Sequence, residues 1–179
     1  MDLVVEPERP DDHPAVRAVV LAAFATQPEV VDLVELIRAS PEYVPELALV
    51  ARVDGAVAGF VMLSHAELVE ESGERHRVLT LSPLAVAPAV QGRGIGSALV
   101  RAGLAEAERL GEPLVVLEGS PQYYPRFGFR DSREFGIAMP LPDWAPPEAG
   151  MACALAAYDA RVRGRLVYPP AFAASGVLS

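Results

Sequence analysis

The sequence predicts an α/β fold: a mixed, mostly antiparallel central sheet with one βαβ crossover and flanking helices. Three observations predict it. Leu47 to Val53 and Ala56 to Val69 are apolar runs joined by Asp54-Gly55, a strong two-residue hairpin signal, so pairing begins antiparallel. Val78 to Val86 then runs into Gln91-Gly92-Arg93-Gly94-Ile95-Gly96-Ser97, which opens directly into a segment with Ile95, Leu99, Gly103, Leu104, Ala107 and Leu110 at helical spacing. Leu114 to Leu117, short and wholly apolar, suits a buried parallel strand after that helix. A wholly parallel nucleotide fold does not begin with a hairpin meander and then insert a single crossover.

The remaining elements follow in chain order. Leu3 to Glu6 reads as a first strand, and Pro10-Asp11-Asp12 supplies turn and N-cap chemistry for a helix over Ala15 to Ala25. Gln27-Pro28 breaks it, and a second helix runs to Ala39, where Ser40-Pro41 stops it. Within the hairpin, Gly59 marks a bulge or a close approach. Glu70-Glu71-Ser72-Gly73-Glu74 is a polar turn before the central strand, and Gly111 ends the crossover helix. Gly119-Ser120-Pro121 closes the parallel strand and starts a short helical segment through Arg126. Phe129 to Met139 reads as another strand. Pro140 to Gly150, with four prolines and Trp144, reads as a loop packed by its own tryptophan. Met151 to Ala157 is a last small strand, and the tail from Ala160 receives no assignment.

A chain of 179 residues is expected to form one domain over 1–179, large enough to bury a sizeable core. No apolar run approaches the roughly 20 residues of a membrane span, and the first residues, Met1-Asp2-Leu3-Val4-Val5-Glu6, do not resemble a signal peptide. Cys153 is the single cysteine, which excludes an internal disulfide and a cysteine-based metal cluster. Three scattered histidines offer no metal-ligand spacing, so no metal is expected. These features point to the cytoplasm. The net charge of −9, with all 15 basic residues arginine, argues against nucleic acid or an anionic membrane as partner.

The glycine loop carries the first chemistry. The first turn of the helix after it has unpaired N–H groups and a partial positive charge. With glycines at 92, 94 and 96, no Cβ keeps an anion from those donors, so the stretch reads as a pyrophosphate cradle. The nucleotide P-loop requires a lysine, and this chain has none. The dinucleotide fingerprint requires a third glycine where Ser97 stands, although Glu118 lies about where a ribose-binding acid would sit. Leu84-Ala85-Val86-Ala87-Pro88 followed by Gln-Gly-Arg-Gly-Ile-Gly resembles instead the acetyl-CoA loop of the GNAT superfamily of N-acetyltransferases. The order of elements resembles that fold from about Leu3 to Ala157.

The resemblance implies particular roles. The strand before the loop would splay from its parallel neighbour, and the backbone of Leu84, Ala85 and Val86 would pair with the pantetheine arm of acetyl-CoA. Pro83 stands where such a splay would begin, because a proline inside a strand removes a ladder donor. The cradle would comprise Gln91, Gly92, Arg93, Gly94, Ile95, Gly96 and Ser97, with Gln91 and Arg93 able to add side-chain contacts. Tyr124-Pro125-Arg126-Phe127-Gly128-Phe129 resembles the family's Tyr-x-x-(apolar)-Gly-Phe pattern, which implies that Tyr124 protonates the departing CoA thiolate. Tyr123 competes for that role. The short helix lacks the family's frequent opening Asn. A compact bacterial subgroup of predicted acetyltransferases shares Tyr168-Pro169-Pro170-Ala171-Phe172 near the end.

The general base is less constrained. Some relatives use a Glu four residues before the backbone contacts; Thr80 stands there and cannot serve. Glu118, ending the parallel strand, is the best-placed carboxylate, with His65 and Glu67 as alternatives on one face of the preceding strand. The expected function is acetyl-CoA-dependent transfer of an acetyl group directly to a primary amine of a small molecule or protein. A non-catalytic acyl-CoA-binding sensor and a dinucleotide-binding domain are the alternatives. The acceptor would depend on loops around Thr26-Gln27-Pro28, Glu67 to Glu74 and Pro140 to Gly150. The long third strand and the tail leave room for a homodimer.

Overall fold

The computed structural model describes residues 1–178. Strands β1 (Leu3–Pro7), β2 (Ala48–Val53), β3 (Ala56–Val69), β4 (Arg75–Val86), β5 (Leu114–Glu118), β6 (Arg130–Asp131) and β8 (Gly150–Ala154) line up as β1-β2-β3-β4-β5-β8-β6. Two further short strands, β7 (Ile137–Ala138) and β9 (Gly164–Val167), pair with each other, and β9 adds to the distal end of β3. Every pairing along the main path is antiparallel except β4 with β5. That parallel pair is joined by helix α3 (Ile95–Arg109), the expected crossover.

Helix α3 covers one face of the sheet, where Leu99, Val100 and Ala107 meet Leu49, Val61, Leu63 and Leu79. Its seating depends on missing side chains: a Cβ at Gly59 would lie 2.9 Å from Leu99 Cδ1, and one at Gly103 would lie 2.9 Å from Leu63 Cδ1. Gly59 also adjoins a register shift between β2 and β3, so it serves both expected purposes. The opposite face is covered by α1 (His13–Ala23), α2 (Glu29–Arg38) and α4 (Pro170–Ser175). There Val16, Val20, Leu33, Ile37 and Phe172 pack on Val50, Phe60 and Met62. Beside that layer, buried Glu8 accepts from Arg38 Nε at 2.9 Å and Nη2 at 2.6 Å, and from the Tyr43 hydroxyl at 3.1 Å. Burial together with Glu8 pushes the Tyr43 phenol up to about 12.

The central strand contains the feature that organises the site. Val61 pairs with Leu84 and Leu63 with Leu81, so β4 holds one residue more than β3 across this interval. The extra residue lies at Ser82-Pro83, where proline was expected to interrupt the ladder. Its effect is a change of phase. Leu79 and Leu81 face α3 before the bulge, and Leu84 and Val86 face it afterwards.

Three expectations require correction. Phe129 to Met139 is not one strand: β6 and β7 hold two residues each, separated by a 3-10 turn at Ser132–Phe135 that ends on Gly136 with φ of 69°. Trp144 does not pack its loop, being 80% exposed. The unassigned tail folds into β9 and α4, the helix opening with Pro170 and stopping at Gly176, the usual proline and glycine positions.

Candidate active site

The glycine loop reaches α3 through left-handed backbone. Gly92 has φ of 75° and Gly94, the N-cap, 82°, and a Cβ at either would project into open space. The first intrahelical bond runs from Ala98 N–H to Gly94 C=O at 3.0 Å, so the N–H groups of Ile95, Gly96 and Ser97 precede the ladder. They border a cavity of about 420 Å³ lined by Leu84, Val86, Gln91, Gly92, Tyr123 and Arg126, among others. A Cβ at Gly96 would sit 3.1 Å from the Tyr123 hydroxyl, so this glycine keeps the floor open. Arg93 is exposed beside the loop, outside the lining, and the Gln91 amide donates to the Val86 carbonyl at 3.1 Å.

The strand leading into this loop is open on one side. Parallel pairing of β4 with β5 extends over Leu79 with Val115 and Thr80 with Val116 only. Beyond the bulge, β3 remains paired to β4, and Ala87 N–H donates to Ala58 C=O at 2.8 Å. Alternation along the strand therefore turns the N–H groups of Leu84 and Val86 toward the gap, whereas Ala85 sits opposite Phe60 with its backbone turned to β3. Of the three residues expected on the open edge, Leu84 and Val86 turn their N–H groups to it; Ala85 does not, being 1% exposed on the floor of the α1/α2 face with its backbone turned to β3.

The two tyrosines point in different directions. The Tyr123 hydroxyl lies 3.4 Å from Ser97 Oγ, at the start of α3, with the Arg126 guanidinium over its ring at 4.7 Å. Tyr124 turns inward, its ring edge-on to Phe129 with centroids 5.7 Å apart and close against Gly119 just past β5. Burial, with a smaller contribution from Tyr123, pushes the Tyr124 phenol up to about 12. Arg126, which the Tyr124–Phe129 pattern leaves without a role, lines the first cavity.

A second cavity of about 510 Å³ opens on the α1/α2 side of the bulge. Thr80, Leu81, Ser82 and Pro83 form its floor, and Glu118 enters from the end of β5. Phe24 lines both cavities, and β4 passes from the floor of this one, Thr80 to Pro83, to the wall of the first, Leu84 and Val86, so the two adjoin along that strand. Among the described residues Glu118 makes no ion pair, and burial raises its carboxyl above the ordinary range. Tyr168, in the same wall, is pushed up by burial and by Glu118. Neither alternative base reaches this cavity: His65 is bonded to Glu112 at 2.8 Å, and Glu67 is paired with Arg75. Of the three acceptor loops expected, Gln27 and Pro140 to Trp144 contribute, while Glu67 to Val69 instead pair with β9. Tyr168, Phe172, Val177 and Leu178 from the tail complete the wall. Ligand atoms of Glu70, Glu74 and His76 lie within 4.8 Å of one another, but His76 is already bonded to Glu70, and Arg163 stands 3.6 Å from that carboxylate.

A mixed sheet with a single glycine-loop crossover, and a splay between its parallel strands, defines a protein that receives an extended, anionic ligand along an open strand edge. A family model described as acetyltransferase (GNAT) family matches residues 18–129. The chain belongs to that family, and so to the acyltransferases. It is 34% identical over 145 residues to an uncharacterized N-acetyltransferase, YjhQ, of Escherichia coli, covering 79% of this chain and 76% of that one. Among solved structures it resembles the GNAT family N-acetyltransferase YhbS from Escherichia coli in complex with CoA. The TM-score is 0.83 with 28% identity, over 96% of this chain and 92% of that one. A GNAT family acetyltransferase from Brucella melitensis in complex with acetyl-CoA matches with a TM-score of 0.76 and 30% identity, over 96% and 98%.

Proposed function

We propose that the protein transfers an acetyl group from acetyl-CoA directly to a primary amine. The observation that carries this reading is the pair of cavities adjoining along β4, one bordered by the α3 cradle and the other holding Glu118. The first suits a pyrophosphate and pantetheine arm: free helix N–H groups, the Arg126 guanidinium and the open edge of Leu84 and Val86 are donors for phosphate and amide oxygens. The second gives an amine an approach with the Glu118 carboxylate at its edge.

In this reading Val86 N–H polarises the thioester carbonyl, and Glu118 takes a proton from the attacking amine. The C–N bond forms as the C–S bond breaks, and the sulfur takes a proton from Tyr124, which solvent then replaces. A phenol near 12 is less acidic than a thiol of about 8.5, so Tyr124 acts only once charge has developed on sulfur. Tyr124 itself lines neither cavity, its ring packing beside Phe129 against the α3-side core, so the reading needs the phenol to reach the sulfur from there. A second reading, in which Tyr123 is the donor, is favoured by its hydroxyl lining the cofactor cavity. Catalysis comes mainly from holding two substrates in attack geometry. Cys153, buried on β8 with its thiol pushed up by burial, has no part in it.

Thermal melting with acetyl-CoA, CoA, NAD or ATP in excess tests the cradle. A ligand at about 100 times its Kd adds roughly 2.7 kcal/mol, a rise of several degrees. Shifts with acetyl-CoA and CoA alone, followed by amine-dependent thiol release, are expected. A shift with NAD alone would overturn the reading. Acetyl-CoA binding without thiol release for any amine would leave only a sensor.

A further inference from the structure

The larger cavity also bears on the acceptor. We infer that it takes a primary amine borne on an apolar or aromatic skeleton that carries no carboxylate or phosphate. This inference rests on the acetyltransferase reading for its chemistry, but its argument is the character of the wall.

Glu118 and Glu29 are the two carboxylates facing the cavity, and no arginine or histidine lines it among the described residues. The chain has no lysine at all. An acceptor with a carboxylate beside its amine would bring a third negative charge into a partly desolvated space with no cation to receive it. A lone ammonium has the opposite experience, since two carboxylates attract it and Glu118 can then take its proton. The rest of the wall sets polar Gln27, Thr80 and Ser82 on one part and apolar side chains on another: Val30 and Leu33 from α2, Leu141 from the proline-rich loop, and Tyr168 stacked on Phe172 at 4.6 Å between centroids. The apolar part recovers free energy from the hydrocarbon or ring surface of an acceptor.

The rim agrees with the wall. Trp144 is 80% exposed at the cavity edge, an arrangement that costs hydration of an indole unless a ligand covers it. A volume of about 510 Å³ lies in the range of small-molecule sites, which run about 300–1,000 Å³. That size fits a ring with a short aminoalkyl chain.

The experiment uses pairs that differ by one carboxylate: 2-phenylethylamine with phenylalanine, and tryptamine with tryptophan. Each is titrated calorimetrically into the CoA-loaded protein, where no turnover intervenes. The expected result is at least tenfold tighter binding of the amine in each pair. Glu29→Arg should shrink that preference several-fold while leaving the acetyl-CoA melting shift unchanged, and Trp144→Ala should weaken tryptamine without lowering Tm. Equal binding within a pair, tighter binding of the amino acid, or no binding of any of the four would overturn the inference. Failure of the acetyltransferase reading looks different. Acetyl-CoA would then give no melting shift, or the tightly bound amines would release no thiol, while the pairwise preference stood.

Discussion

Replacing Gly96 with alanine separates the cradle from the fold, because the two effects have opposite signs. Gly96 occupies the first turn of α3 with φ outside the left-handed region, so alanine suits the backbone. A helix gains up to about 1 kcal/mol from such a change. Against this, the new methyl would stand 3.1 Å from the Tyr123 hydroxyl and 3.7 Å from Val86 Cγ2, forcing the phenol back by a few tenths of an ångström. The free protein should therefore melt within about 4 °C of the parent, since 1 kcal/mol moves a domain of this size by roughly 2–4 °C. The ligand meets the same methyl between itself and the N–H donors. Loss of one hydrogen bond to a charged group costs about 1.5–3 kcal/mol, which weakens acetyl-CoA roughly 10- to 150-fold. Calorimetric titration of acetyl-CoA and CoA, with melting of the free protein as control, reads both quantities. An unchanged Kd would refute the cradle. So would an equal loss of Tm and affinity, because the methyl would then be acting through the fold.

The other predictions concern the tyrosines, Glu118 and the Glu8 network. Tyr124→Phe should lower kcat by about 10²-fold or more with little change in KM for acetyl-CoA, whereas Tyr123→Phe should act mainly on that KM; the reverse split assigns the proton to Tyr123. With its phenol near 12, Tyr124 stays protonated from pH 7 to 9, so a Tyr124-dependent alkaline limb in that window would contradict the assignment. Glu118 must be ionised to act as a base, and burial raises its pKa, so kcat/KM should fall with decreasing pH at a value above that of an exposed glutamate, about 4.3. Glu118→Gln should abolish that limb along with most of the activity, and a limb that survives excludes Glu118 as the base. Arg38→Ala would leave Glu8, whose side chain is 1% exposed, without its cation. A cost of about 3–5 kcal/mol is expected, a fall of roughly 6–20 °C on melting; a fall under 2 °C would show that Tyr43 and His13, 3.8 Å from the carboxylate, satisfy Glu8 without Arg38.

Much of this site was readable from local sequence because its parts are local. The proposed cradle is one loop and one helix start, so glycine spacing from 92 to 96 carries it, and Pro83 announces the bulge one residue before the open edge begins at Leu84. The acceptor cavity had no such signature. Its walls come from Phe24, from α2, from the Pro140–Trp144 loop and from α4, segments that no spacing connects until the sheet brings them together. The tail did carry a signal, since Pro170 and Gly176 bracket α4 as a helix start and stop. Phe129 to Met139 misleads for a different reason. Its apolar residues alternate as a strand's do, but Gly136 takes φ of 69° and the chain turns there to meet β9. The family pattern selects Tyr124 over Tyr123, but periodicity does not say which ring lines the cavity, because a short 3-10 segment sets their directions and it is Tyr123 that lines it.

The bulge in β4 explains why cradle and cavity occur together. A strand has period two, so a single added residue moves every later side chain to the opposite face. Without it, Leu84 and Val86 would follow Leu79 and Leu81 out of phase, and their side chains would leave the α3 layer for the α1/α2 layer. Their N–H groups would turn with them, toward β3, and Ala85 N–H would face β5 in their place. The phase change keeps an apolar face under α3 on both sides of Pro83 while the backbone parts from β5. That parting leaves space on the α1/α2 side, where Thr80 to Pro83 become a floor and Glu118 at the end of β5 becomes a wall. The bulge thus selects the amides of Leu84 and Val86 for the open edge and leaves the second cavity beside it along the same strand, the arrangement that the proposed transfer between two bound molecules uses.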